Sequence, residues 1–166
     1  MDILEVLKKR RSIRIFQDKQ IHKEDLEKLV DVARYAATAR NVQPWKFVIV
    51  TDIKVLNLLG ELGENAKLIA GSKACIIVFC EDTKYYLEDG CAATVNILNA
   101  ATALGIGSCW VAGDRKPYSC EVSRILKAPK ELKLVSLVAL GYPKDKGAFR
   151  VVDKKPLQEI LRWEQF

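Results

Sequence analysis

Three arginines and a serine stand close together near the start of the chain, in Arg10-Arg11-Ser12-Ile13-Arg14-Ile15-Phe16. Ile13 and Ile15 alternate with Ser12 and Arg14, which is the two-residue period of an extended strand. An extended backbone turns Arg10, Ser12 and Arg14 to one side, spread over about 13 Å. Guanidinium forks and a hydroxyl on one side suit a phosphate, which takes bidentate, charge-assisted bonds. With Lys8 and Lys9 before it, the same run also reads as a solvated basic helix end or as a patch for nucleic acid.

A second polar group follows in Thr38-Ala39-Arg40-Asn41-Val42-Gln43-Pro44-Trp45. Pro44 disfavours helix at Gln43, so this segment is a turn or an extended approach. Asn41 and Gln43 offer paired donors and acceptors that fit the edge of a heterocycle. Equally, Asn41 could cap a helix end while Trp45 joins the core. Metal and nucleophile chemistry have little to work with. His22 is the only histidine, and the cysteines at 75, 80, 91, 109 and 120 form no CxxC pair. Neither a zinc shell nor a disulfide framework is expected from that pattern. Cys75, Cys80, Cys91 and Cys109 sit in apolar stretches and read as reduced, buried thiols.

The elements that must position these groups follow from periodicity. A first helix is expected from about Asp2 to Lys9, with Asp2 and Glu5 spaced as a capping box and Ile3, Leu4 and Leu7 on one face. A second starts near Lys23, opened by His22, with Leu26, Leu29, Val30 and Ala33 at helical spacing. Strands are expected at 46–50, 74–80, 105–111 and 132–140, and further helices at 54–62 and 120–127. The longest helix, 85–104, is rich in alanine and apolar on more than one face, as in a helix central to its fold or packed on another subunit. The tail from Pro156 carries Leu157, Ile160, Leu161, Trp163 and Phe166, and so apolar a segment needs a surface to bury it. Strands alternate with helices and hairpin signals are missing, which points to an α+β fold.

Bulk properties agree with one domain over 1–166, its C-terminal arm beginning near 150. Apolar residues make up 49% of the 166, enough for a sizeable core, and no Pro/Gly/Ser-rich linker divides them. No apolar run approaches the ~20 residues of a membrane span. The acidic start, Met1-Asp2-Ile3-Leu4-Glu5, lacks the order of a secretory signal, so a cytoplasmic location without membrane contact is expected. The net charge of +6 is compatible with an anionic cofactor.

Taken together, Arg10-Arg11-Ser12-x-Arg14-x-Phe16 and Asn41-x-Gln43-Pro44-Trp45 before an apolar strand resemble the FMN-dependent nitroreductase family. Three further segments fit in the same order: Asp89 through Asn96 to Leu104-Gly105-Ile106-Gly107-Ser108-Cys109-Trp110, then Leu140-Gly141-Tyr142-Pro143, then Lys154-Lys155-Pro156-Leu157-Gln158-Glu159-Ile160. The resemblance covers nearly the whole chain, here a short one for the family. It implies a central, mostly antiparallel mixed sheet flanked by helices, in a homodimer whose C-terminal segment extends onto the partner.

For the site, the resemblance implies that Arg10, Arg11, Ser12 and Arg14 hold the FMN phosphate and ribityl chain. The partner's Ala37, Thr38, Ala39 and Asn41 would embrace the ring, Asn65 would face its pyrimidine edge, and Lys154 would close over the phosphate. Val111, Ala112 and Gly113 would supply backbone amides beside the reacting atom, with no side-chain acid or base. Many relatives carry Glu at the position of Ala112 and Arg at that of Lys154. The implied activity is ping-pong hydride transfer from NADH or NADPH through flavin N5 to a nitroaromatic, quinone or similar small-molecule acceptor. The alternatives are another flavin reaction on this fold, such as dehalogenation or dehydrogenation, or a basic nucleic-acid-binding module.

Overall fold

Seven consecutive apolar residues, Ala74 to Cys80, form the strand at the centre of the molecule, and every one of them is buried. A strand buried on both faces needs a layer on each side. The computed structural model describes residues 2–166, and supplies those layers from helices α1 (Ile3–Lys9), α2 (Lys23–Ala33), α3 (Ile53–Gly60), α4 (Tyr86–Ala103) and α5 (Ser119–Ile125), while α6 (Leu157–Ile160) lies exposed near the C-terminus. The strands are β1 (Trp45–Val50), β2 (Ala74–Cys80), β3 (Gly107–Ala112) and β4 (Lys133–Gly141), ordered β1-β2-β4-β3.

All three strand pairings are antiparallel. The sheet is therefore less mixed than expected, and its parallel component is a single bridge, Ser12 to Ser108. Helices rather than tight turns join neighbouring strands, which is why hairpin signals are missing. Along β2 the side chains alternate: Ile76 and Val78 pack with α2 and α4, whereas Ile77 and Phe79 pack with α3 and α5. Each large side chain so buried contributes about 1.5–3 kcal/mol. Trp45 belongs to the first of these clusters.

The start of β3 differs from expectation for a local reason. Gly105 is not in β3 but ends α4: its φ is +71°, and Ile106 N–H donates to Ala101 C=O at 2.8 Å while Gly105 N–H donates to Thr102 C=O at 3.1 Å. This is a Schellman cap, whose left-handed residue is best supplied by glycine. At the other end of the chain Asp2 does cap α1, accepting from Leu4 N–H at 3.2 Å. Glu5 does not complete a capping box, because its carboxylate turns to Lys9 at 3.8 Å. His22 is the N-cap residue of α2, as expected. No helix of the described residues is long and apolar enough to cross a membrane.

Candidate active site at the free edge of the sheet

β3 is an edge strand, and the Arg10–Phe16 segment is laid across its first residues. Ile13 N–H donates to Ser108 C=O at 2.9 Å, and Gln17 N–H to Tyr142 C=O at 2.8 Å. The crossing is close because the strands carry glycines there. A Cβ on Gly107 would lie 2.9 Å from Ile13, and one on Gly141 would lie 2.7 Å from the Phe16 ring. The extended conformation expected for this segment is thus enforced by the sheet end it covers.

The extended backbone sorts the basic run into two groups. Arg10, Ser12 and Arg14 converge on Cys109: burial pushes the Cys109 thiol up, while Arg14, a hydrogen bond with Ser12, and Arg10 oppose that rise. Arg11 points elsewhere. Its guanidinium donates to Arg150 C=O at 2.7 Å, to Arg10 C=O at 2.6 Å and to Lys8 C=O, so it closes the end of α1 and roots the C-terminal segment. Arg11 thus spends donors on backbone carbonyls while its side chain still lines the ligand-sized cleft alongside. That cleft, about 700 Å³, is lined by Arg11, Ser12, Arg14, Lys144 and Arg150 among others.

At the other end of β3 the pairing decides which amides are free. Gly113 N–H donates to Val135 C=O at 2.9 Å, which continues the register pairing Val111 with Leu137. In an antiparallel ladder, hydrogen-bonded and non-hydrogen-bonded pairs alternate. Val111 and Gly113 therefore spend their amides on β4, and the Ala112 N–H faces the open edge. Of the three amides anticipated from sequence, one is available. The Ala112 carbonyl is occupied, accepting from the Tyr118 hydroxyl at 2.5 Å. Ser119 Oγ donates to Gly113 C=O at 2.5 Å. Both side chains hold the strand end, and neither was singled out from sequence because each stands among unremarkable polar neighbours. A Cβ on Gly63 would lie 3.8 Å from the Tyr118 ring, so the 3-10 turn of helix bearing the exposed Asn65 starts near this end of β3.

The Thr38–Gln43 loop is held at the first turns of α4. Thr38 Oγ1 donates to Asp89 Oδ2 at 2.9 Å and Ala39 N–H to Asp89 Oδ1 at 3.1 Å. Asp89 is buried, and sequence reading used it only as the start of a helix. Its signal was a carboxylate at a position where α4 is otherwise apolar. This anchor holds Arg40, Asn41 and Gln43 at φ of 54°, 56° and 54°. Left-handed non-glycine residues cost about 1–2 kcal/mol each, and such strain clusters at functional sites. The Asn41 side chain makes no hydrogen bond among the described residues.

Within one chain these pieces do not form one pocket. Asp89 fixes the Asn41 loop near the start of α4, while Ser12 bridges to β3 beyond its end, roughly 20 Å away along the helix. Ala37 is exposed beside the loop. Lys154 is exposed as well, and residues 151–166 are all exposed, Val152 and Leu161 least so of the large apolar ones at 38% and 41%. The structure brings Arg10, Ser12 and Arg14 together, places Ala112 on the same edge about 13 Å further along β3, and leaves Asn41 and Lys154 facing outward.

Comparison with known proteins fits this arrangement. The sequence profile of the nitroreductase family matches residues 7–78, and a second profile, "Putative TM nitroreductase", matches 61–165. A protein of Archaeoglobus fulgidus described as "Putative NADH dehydrogenase/NAD(P)H nitroreductase" is 36% identical over 93% of this chain and 92% of its own length. A solved structure with the same description from Bacteroides thetaiotaomicron superposes with a TM-score of 0.92 at 26% identity, covering 99% of this chain and 98% of that one. An FMN-dependent nitroreductase from Clostridium difficile superposes with a TM-score of 0.89 at 23% identity, over 98% of this chain and 99% of that one.

Proposed function

Since the chain belongs to the nitroreductase family, we propose that it is an FMN-dependent oxidoreductase using NADH or NADPH to reduce nitroaromatics, quinones or similar acceptors. The observation that carries this reading is the layout of one strand edge: Ser12 bridged to Ser108 with Arg14 beside it on a cleft, and an unpaired amide at Ala112. A phosphate-tailed heterocycle needs those two features on one side and apart. The residues fit the cofactor on that ground, with Arg10, Ser12 and Arg14 for the phosphate and the Ala112 N–H for the ring. When bound, FMN supplies acceptance and donation of hydride at N5.

The chain's own part is binding and electrostatics. Arg10 and Arg14 neutralise a dianionic phosphate, and Ser12 donates one further bond. The Ala112 N–H is a fixed dipole that costs no reorganisation when charge develops beside it. Tyr118 and Ser119 keep it aimed by holding the carbonyls on either side of the next peptide. No side chain need move a proton for hydride transfer.

The site is completed by a second copy of the chain. Two unpartnered apolar surfaces support this reading. One is the arm, where Leu157, Ile160 and Trp163 are all exposed, Trp163 at 80%. The other is a groove of about 760 Å³ between α1, α2 and α4, where Ile3, Leu7, Val32, Tyr35 and Leu104 face outward. α1 therefore shows its Ile3-Leu4-Leu7 face to the exterior and buries only Val6. An arm crossing to a partner would bury both surfaces and carry Lys154 toward the partner's site.

The deciding experiment is an absorption spectrum of the purified protein. Flavin bands bleached anaerobically by NADH or NADPH, and restored by a quinone, are expected. A colourless protein that takes up no added FMN would refute the assignment.

A further inference from the structure

A cavity of about 920 Å³ lies outside this edge, at the end of the sheet between the start of α4 and the outer face of α5. It opens at Asp114 and Arg115, directly after Gly113, and so adjoins the ring end of β3. Five cations line it: Arg115, Arg124, Lys127, Lys130 and Lys133. Three of them have carboxylate partners, with Arg115 on Asp114, Arg124 on Glu121 and Lys133 on Asp82. Lys127 and Lys130 have none within 4.0 Å among the described residues, so the cleft carries two uncompensated charges.

Lys127 stands where backbone chemistry favours a different residue. It follows α5 with φ of +52°, and Ala128 N–H donates to Ser123 C=O at 2.9 Å while Lys127 N–H donates to Arg124 C=O at 3.2 Å. This is the Schellman geometry that closes α4, where the left-handed position is Gly105. The same cap on α5 holds a lysine, whose Cβ is disfavoured there. Arg115, on the opposite wall, is left-handed as well, with φ of +51°. Two cations at left-handed positions facing one concave surface match strain retained for binding rather than for folding.

We infer that this cleft receives the phosphates of the dinucleotide hydride donor while its nicotinamide lies at the Ala112 end of β3. The inference rests on the oxidoreductase reading above. A diphosphate matches the observations better than an acidic protein surface does, because the charges line a concavity of ligand-pocket size. The donor's dinucleotide part would then be held by electrostatics alone, without a glycine-rich dinucleotide loop.

The test uses the full-length, flavin-loaded protein and the variants Lys127→Gly and Lys130→Ala. Glycine suits the cap, so Lys127→Gly is expected to keep or raise the thermal midpoint. The double variant is expected to bind ADP-ribose about fivefold more weakly by calorimetry, the scale for two partly exposed ion pairs. The KM for NADH or NADPH should rise by a similar factor at unchanged kcat. Reduction by N-methyl-dihydronicotinamide, which has no phosphate, should proceed at the wild-type rate. Unchanged ADP-ribose binding and KM would overturn the inference, as would an equal loss with the phosphate-free donor. Lys127-dependent binding of ADP-ribose in a protein reduced by neither donor would overturn the donor assignment and, separately, fault the oxidoreductase reading.

Discussion

β2 and the C-terminal arm are both apolar, yet they meet opposite fates. Ala74-Cys75-Ile76-Ile77-Val78-Phe79-Cys80 is buried at every position, deeply enough to push the Cys80 thiol up to about 12. Residues 151–166 are exposed throughout, despite Leu157, Ile160, Leu161, Trp163 and Phe166. The difference lies in what each segment can reach. β2 has hydrogen-bonding neighbours on both sides and helices over both faces, whereas the arm leaves its own domain at Arg150, where Arg11 holds the last fixed carbonyl. Hydrophobicity says that a segment will be covered, and only the layout of the chain says by what.

Removing the arm is the strongest way to sharpen this contrast. A chain ending at Val151 should keep its secondary structure but lose both the dimer and its flavin, seen by size exclusion and absorbance together. A stable yellow dimer of that length would break the proposed role of the arm. Next in size, Phe79→Ala should cost about 3–5 kcal/mol in urea unfolding, equally at all protein concentrations. Trp163→Ala should instead lower a midpoint that depends on protein concentration. Concentration-independent loss in both would erase the distinction between the two regions.

Smaller effects separate ligand contacts from scaffold contacts at the N-terminal segment. Arg10→Ala and Arg14→Ala should each weaken FMN binding by about 1.5–3 kcal/mol, the range for hydrogen bonds to charged groups. Arg11→Ala should spare FMN affinity and loosen the arm, measured as faster proteolysis after Arg150. Unaltered affinity in the Arg10/Arg14 double variant would reject the phosphate site. The smallest change concerns the helix start beside the sheet end, where Tyr86 donates to Asp114 at 2.7 Å. That bond, then burial, holds the Tyr86 hydroxyl above its ordinary range. Its contribution is complete below the unfolded value near pH 10 and fades as pH rises through the folded one. Tyr86→Phe should therefore lower stability at pH 8, by an amount that shrinks as the pH is raised beyond the unfolded value, compared by urea midpoints.

Much of this molecule could be read before its fold was known. A continuous apolar run rich in β-branched residues located the buried strand at 74–80, alanine-rich apolar content the long helix, and the spacing of Arg10, Ser12 and Arg14 put them on one side. Boundaries slipped where a cap outweighed apolar pattern, as at Gly105. The two-residue period set Arg11 apart from Arg10 and Arg14, but the carbonyls it meets could not be read from it. Asp89 showed only as a carboxylate in an apolar stretch, and Tyr118 carried no local signal, since its partner is a backbone carbonyl.

Residue order by itself determined which segments become strand or helix and which side chains share a face, because those are properties of short-range periodicity. Tertiary structure decided which amide of β3 stays free, which arginine is held by backbone carbonyls and which apolar segment is left without cover. Those outcomes depend on ladder parity and on distances between residues far apart in the chain. No local pattern encodes them.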